Sequence, residues 1–329
     1  MTKTRIYLFD TTLRDGQQTP GVDFSVEDKQ AIAKLLDEFG IDYVEGGYPG
    51  ANPTDTAFFA KKQTGSAKFT AFGMTKRAGV SASNDPGLAA IIQSSADSVC
   101  LVSKSWDYHV RVALGVTNEE NLESLAESVK AVAASGKECL IDCEHFFDGY
   151  KANPDYALAC AKTAYESGAR WVVLCDTNGG TQPVEIARIV RDVIAAGIPG
   201  ANLGIHAHND TGQAVANSLT AALAGVCQVQ GTLNGIGERC GNADLIAIIP
   251  SLVLKPLYAD RFETGIGAEG LPGISRLSRA FDELLNRSPN AQAPYVGASA
   301  FASMSAASPG SFEADRPGRR VMPNAVNLA

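Results

Sequence analysis

The sequence predicts a (β/α)8 TIM barrel, and three observations carry that expectation. Short apolar runs alternate with longer amphipathic stretches about eight times in roughly the first 255 residues, as repeated strand–helix units require. The apolar runs are nearly unbroken, which suits parallel strands covered on both faces. Gly, Asp, Glu, Asn and Arg gather where each run stops, and barrel enzymes build their sites at those strand ends. A doubly wound open sheet is the alternative, weakened because no GxGxxG follows the first run.

In chain order the expected strands are RIYLFD (5–10), DYVEG (42–46), KFTAFG (68–73), SVCLV (98–102), ECLID (138–142), WVVLC (171–175), LGIHA (203–207) and VQGTL (229–233). Helical stretches lie between them. SVEDKQAIAKLLDEFG offers Ser25 as N-cap, Asp28 in the first turn and Gly40 as terminator. TNEENLESLAESVKAVAASG and NPDYALACAKTAYESG repeat that design, the second opening with Pro154. QPVEIARIVRDVIAAG follows, and NADLIAIIPSLVL closes the series. The expected organisation is a catalytic barrel over 1–260 and a partial linker or subdomain with one amphipathic helix over 261–302. An irregular, poorly ordered tail is expected over 303–329, where periodicity gives way to Ser, Ala, Pro and Arg.

Bulk properties narrow the function classes. With 329 residues, 45% hydrophobic and 19% charged, the chain reads as globular with a large core. A net charge of -8 argues against a non-specific nucleic-acid partner. No apolar stretch approaches the ~20 residues of a membrane span, and MTKTRIYLFD enters strand-like sequence without a signal-peptide pattern, so a cytoplasmic location is expected. The seven cysteines (Cys100, Cys139, Cys143, Cys160, Cys175, Cys227 and Cys240) form no C-x2-C pair and read as reduced core thiols.

Two of the four histidines, His206 and His208, stand one residue apart at the end of an apolar run. On a strand they project from one face. Two imidazoles side by side, with Asp15 from the end of the neighbouring first run, suit a divalent site for zinc, manganese or a related ion. Hydrogen-bonded loop histidines are the plainer reading of a bare HxH, and the HxHND context with the matching TLRDG weighs against it. Arg14 is a fixed cation at the same mouth, suited to a developing oxyanion and to a salt bridge with Glu45 or Glu144. Glu144 and Thr177 end the fifth and sixth runs, facing where a substrate would lie. His109 reads as structural; His145 is left open.

The strings DTTLRDGQQTPGVDFS, HAHNDTGQAVANS and GTLNGIGERCGNADL together resemble the metal-dependent Claisen-condensing barrels. That family contains the isopropylmalate, homocitrate and citramalate synthases, with hydroxymethylglutaryl-CoA lyase as a distant relative. The motifs run in order from Ile6 to about Leu254. DYVEGGYPGANPTDTAFF, HFFDGYKANPDYAL and LCDTNGGTQP are most similar to the branch that makes citramalate from acetyl-CoA and pyruvate, a precursor for isoleucine. The resemblance implies that Asp15, His206, His208 and Asn242 hold a divalent metal ion (Zn, Mn or Mg). It implies a catalytic role for Arg14 at the keto oxygen, for Thr177 at the substrate carboxylate, and for Glu144 at the acetyl group or its proton. Gln18 would contact substrate, Gly235 and Gly237 would leave room for the CoA tail, and the expected assembly is a homodimer. A larger oxo acid would need room near Tyr48, Phe72 or Leu101.

Two departures from the family pattern bear on activity. Family synthases continue with an AF-x-HK-x-G-x-H segment, whereas this chain keeps ASAFA and then reads SMSAASPG. A C-terminal sensing domain of the usual length is also missing from the sequence, so truncation or divergence after Ala302 is expected. Such a barrel could bind metal and oxo acid with little turnover. A lyase running the reverse cleavage is the other alternative, but GIGERCGNADL has the synthase form and Cys240 alone lends the lyase weak support.

Overall fold

The computed structural model describes residues 2–302. Its strands are β1 (Thr4–Arg5), β2 (Tyr7–Asp10), β3 (Tyr43–Gly47), β4 (Lys68–Met74), β5 (Ser98–Lys104), β6 (Glu138–Glu144), β7 (Trp171–Asp176), β8 (Leu203–Ala207), β9 (Gln228–Gly231) and β10 (Phe262–Glu263). Strands β2 to β9 form one closed barrel in sequence order, and every neighbouring pair is parallel. The expected TIM barrel is what the chain builds.

Period two sorts side chains between inside and outside. Phe9, Tyr43, Cys100, Leu140, Trp171, Val173 and Cys175 fill the interior, while residues such as Leu8, Val44, Leu101 and Ile141 pack outward under the helices. At the N-terminal end of the interior, the Trp171 Nε1–H donates to the Tyr43 hydroxyl at 3.2 Å. That hydroxyl donates to Glu138 at 3.0 Å, and Lys68 pairs with Glu138 at 2.6 Å. The polar edges of the buried rings are thereby satisfied.

The expected helices form where their caps are. Val26–Phe39 opens with a reciprocal Ser25/Asp28 capping box and stops at Gly40, whose φ of 100° is left-handed. Asn118–Ala134 opens with the same device from Thr117 and Glu120. Pro154–Glu166 and Pro183–Ala195 start on proline, and Leu245–Leu254 closes the ring. Shorter helices also appear at Pro53–Phe58, Pro86–Gln93 and Phe146–Ala152.

Lys29 lies on the buried face of Val26–Phe39 and is fully buried. Its ammonium donates to the carbonyls of Leu13 (2.8 Å) and Gly46 (2.9 Å) and pairs with Asp55. Three acceptors offset the cost of burying that charge, and the lysine ties together the turn after β2, the end of β3 and the helix Pro53–Phe58.

Outside the barrel, β1 and β10 form a separate two-stranded parallel sheet, so residue 5 belongs there and not to the first barrel strand. Ile6 turns into the core while Arg5 pairs with Asp42. The expected amphipathic helix beyond the barrel is Ile274–Leu284; its Phe281 is buried against Phe24, with ring centroids 6.4 Å apart. The expected tail over 303–329 lies outside the described residues. Among those described, no helix is long and apolar enough to cross a membrane.

Candidate metal centre

Strand β2 ends in a turn that aims the next residues into the mouth. The Asp10 carboxylate accepts from the Thr12 amide (2.9 Å) and hydroxyl (2.8 Å), and that hydroxyl accepts from the Leu233 amide (2.8 Å). Burial, only partly opposed by these bonds to Thr12, pushes the Asp10 carboxyl up to about 7. The amides of Arg14, Asp15 and Gly16 then fold back on the Thr11 carbonyl, which buries Asp15.

His206 faces the interior from β8, and His208 follows just past the strand; both are 5% exposed. Asp15 Oδ2 lies 3.1 Å from His206 Nε2 and 3.9 Å from His208 Nε2, and the two Nε2 atoms are 3.3 Å apart. Asn242, 227 residues from Asp15 in sequence, donates to the same Oδ2 at 2.6 Å. The loop carrying Asn242 closes tightly: a Cβ on Gly237, which has φ 158°, would lie 2.8 Å from Asn242 Oδ1. All four ligands expected from the resemblance therefore meet.

The cluster fits a divalent cation. Asp15, His206 and His208 each offer a ligand atom, and these lie within 4.8 Å of one another. Asn242 Oδ1 is buried without a hydrogen-bond partner, an arrangement that is costly unless something else uses the group. An amide can turn to present its oxygen. Charge points the same way. Burial would raise the Asp15 carboxyl, but Arg14 and the His206 hydrogen bond hold it well below the usual range. Burial and the neighbouring His206 push His208 down to about 3, so the ring stays neutral and one of its nitrogens keeps an available lone pair. His206 is raised, because contact with Asp15 outweighs burial.

Arg14 sits beside this cluster. Its Nε donates to Glu45 at 2.6 Å, and its guanidinium lies over the Phe72 ring, 4.1 Å from the centroid. Burial alone would lower Arg14, yet Glu45, Asp15 and Asp142 raise it, and it stays charged. Glu45 itself is pushed up to about 7 by burial against the pull of Arg14.

A cavity of about 200 Å³ opens above these groups, walled by Arg14, Asp15, Phe72, Val102 and both histidines. Gln18, Glu144 and Thr177 line it too, whereas Gly235 and Gly237 shape the loop behind Asn242 and are not in its wall. Glu144 pairs with Lys104, and Thr177 Oγ1 accepts from the His145 amide at 2.8 Å. Of the side chains expected to limit substrate size, Phe72 is in the wall. Leu101 points outward among the helices and Val102 takes the inward position, a one-residue consequence of strand alternation. Tyr48 reaches the cavity only through its edge contact with Phe72 at 6.0 Å.

Several site residues are not apparent from the strings. His145 adopts a left-handed backbone (φ 55°) right after Glu144, and its ring meets His109 edge-on at 4.4 Å beside Trp106. Histidines 36 residues apart in sequence carry no local signal of that contact. Asp142 and Gln230 face inward below the cluster, and strand alternation from Glu144 and Gln228 would have found them. Cys240 is the exception among the expected core thiols: the other six cysteines are buried, while it is exposed on the loop before Asn242, where no core could receive it.

The fold and the mouth together define a (β/α)8 barrel built around a buried Asp/His/His/Asn cluster beside an Arg–Glu pair. The chain belongs to the HMGL-like family, which it matches over residues 5–277. It is 50% identical over 300 residues to an (R)-citramalate synthase of Geobacter sulfurreducens and 51% identical over 301 residues to that of Aquifex aeolicus, covering 90% and 91% of this chain. A 2-isopropylmalate synthase of Solidesulfovibrio magneticus is 33% identical over 91% of the chain and 57% of that protein. The chain spans only 56% of the length of either citramalate synthase. Among solved structures, an HMG-CoA lyase from Bacillus subtilis superposes with a TM-score of 0.72 at 18% identity over 87% of this chain and 96% of that one, a likeness of fold alone.

Proposed function

We propose that the chain carries the catalytic barrel of an (R)-citramalate synthase, which joins the acetyl group of acetyl-CoA to the keto carbon of pyruvate and releases CoA. The observation that carries this reading is the convergence of Arg14 on the Asp15–His206–His208 cluster in one small cavity, in a chain about half identical to synthases of that name. The cavity, about 200 Å³, is walled on its apolar side by Phe72, Met74 and Val102.

Asp15, His206, His208 and Asn242 would hold the divalent ion, which when bound supplies Lewis-acid polarisation of the keto group. Arg14, locked by Glu45 and Phe72, presents a fixed charge to the oxygen that becomes an alkoxide. The Thr177 hydroxyl accepts from the His145 amide, so its own hydrogen is free to donate to the substrate carboxylate. Gln18 adds a second polar contact from the rim. Glu144, oriented by Lys104, stands where it can position the acetyl group or take the methyl proton. Loss of that proton lets the methyl carbon attack the keto carbon, and water then cleaves the thioester to release the CoA thiol. Gly235 and Gly237 keep the loop beside Asn242 low for the CoA tail.

A thiol-release assay with acetyl-CoA and a panel of oxo acids, each with Zn, Mn and Mg, tests the reading. Pyruvate is expected to give the highest rate; a clear preference for 2-oxoisovalerate or 2-oxoglutarate overturns the assignment. Metal-dependent pyruvate binding without thiol release identifies a binding barrel. Cleavage of hydroxymethylglutaryl-CoA identifies a lyase.

A further inference from the structure

We propose that Gln230 is a positioning residue that keeps a hydrogen on His206 Nδ1 and so leaves Nε2 as the nitrogen free for the metal cluster. Gln230 lies on β9, 1% exposed, and its Oε1 is 2.9 Å from His206 Nδ1. An amide group can present either end to a neighbour, so what surrounds the other end decides. The Gln230 Nε2 has two acceptors within reach, Gln228 Oε1 at 3.3 Å and Asp142 Oδ1 at 3.5 Å. Turning the amide over would press its oxygen against the Asp142 carboxyl, and against Gln228 Oε1 unless that amide turned as well. The oxygen therefore faces His206, where it can only accept, and His206 Nδ1 must carry a hydrogen.

The consequence falls on the opposite side of the ring. With Nδ1 holding a hydrogen of its own, His206 can give up the one that Nε2 shares with Asp15 and turn that lone pair toward a cation at the cluster. Metal-ligating histidines characteristically have the other ring nitrogen held in this way, and loss of such a partner costs about 10–100-fold in metal affinity. His208 Nδ1 has no comparable partner, so the interior fixes only one of the two imidazoles. Asp142 thereby acts on the cluster from a distance, by orienting Gln230.

The affinity arm of the test rests on the metal reading above; the protonation arm does not. Because the chain has only four histidines, ring nitrogens can be followed by NMR in 15N-histidine-labelled protein, with His206 assigned by its loss in His206→Asn. In the metal-free wild type, Nδ1 of His206 is expected to carry a proton above neutral pH. Gln230→Met, which keeps the length but cannot accept, is expected to lose that fixed proton and to weaken zinc binding about 10–100-fold in competition with a chromophoric chelator. Gln230→Glu retains an acceptor oxygen and is expected to keep the Nδ1 proton, which holds the test open if the methionine variant fails to fold. A bare Nδ1 with a proton on Nε2 in the wild type overturns the proposal. So does a folded Gln230→Met with unchanged zinc affinity and an unchanged Nδ1 signal. A wild type that binds no zinc yet shows the Nδ1 proton supports the role of Gln230 while overturning the metal reading.

Discussion

The two ends of the barrel interior are built on opposite terms. At the N-terminal end the buried Trp171 and Tyr43 hand their polar atoms outward to Glu138 and Lys68, which reach solvent. At the mouth, Glu45 Oε1, His208 Nδ1 and Asn242 Oδ1 are buried without partners, and two carboxyl groups, Glu45 and Asp142, are raised by burial near Arg14. One end supplies stability, and the other holds groups that only a ligand can use fully. Binding sites commonly trade stability for function in this way.

Substitutions can break or sharpen that contrast. The largest effect belongs to the closed end: Trp171→Ala should destabilise by about 3–5 kcal/mol through cavity formation, measured by urea unfolding with no metal present. Lys29→Met should cost nearly as much, roughly 3 kcal/mol, because it strands the Asp55 carboxylate and two carbonyls. Adding Asp55→Asn to Lys29→Met should recover part of that loss in the same assay. A smaller effect is expected from Asp10→Asn. The Asp10 carboxyl is raised to about 7, so its favourable contribution is complete below the unfolded-state value and is lost as pH rises through about 7. The asparagine variant should therefore gain at least about 1 kcal/mol on the wild type between pH 5 and pH 8; parallel pH profiles would disprove a buried neutral acid. The smallest change in stability is expected at the mouth. His208→Asn should alter the unfolding free energy by less than about 1 kcal/mol while abolishing measurable zinc binding, a separation that a merely structural histidine would not show.

Strand order and strand ends were legible because each apolar run stops at a polar string, and the HxH spacing put His206 and His208 on one face. The meeting of Asp15 with Asn242 was legible only through family resemblance, since no local pattern links residues 227 positions apart. Strand alternation puts Gln230 and Asp142 on the inner face, yet their contacts stayed hidden because a polar residue within an apolar strand carries no sign of which partner it finds across the barrel. Lys29 was hidden for the opposite reason: lysines on amphipathic helices usually face water, and only the third dimension shows carbonyls converging on this one. Helices such as Pro53–Phe58 span too few turns for periodicity to register.

The pairing of Thr4 with Phe262 and Arg5 with Glu263 has a kinetic consequence. This clasp joins chain segments that are among the most widely separated in the barrel, next to the seam where Tyr7 meets Gln228. Loop-closure entropy must be met before such a contact stabilises anything, so the clasp forms late in folding and opens early in unfolding. The amide hydrogens of Thr4 and Ile6, which donate to Arg261 and Glu263, should accordingly exchange sooner than those in the middle of β5 and β6. They would serve as an early gauge of the seam coming apart.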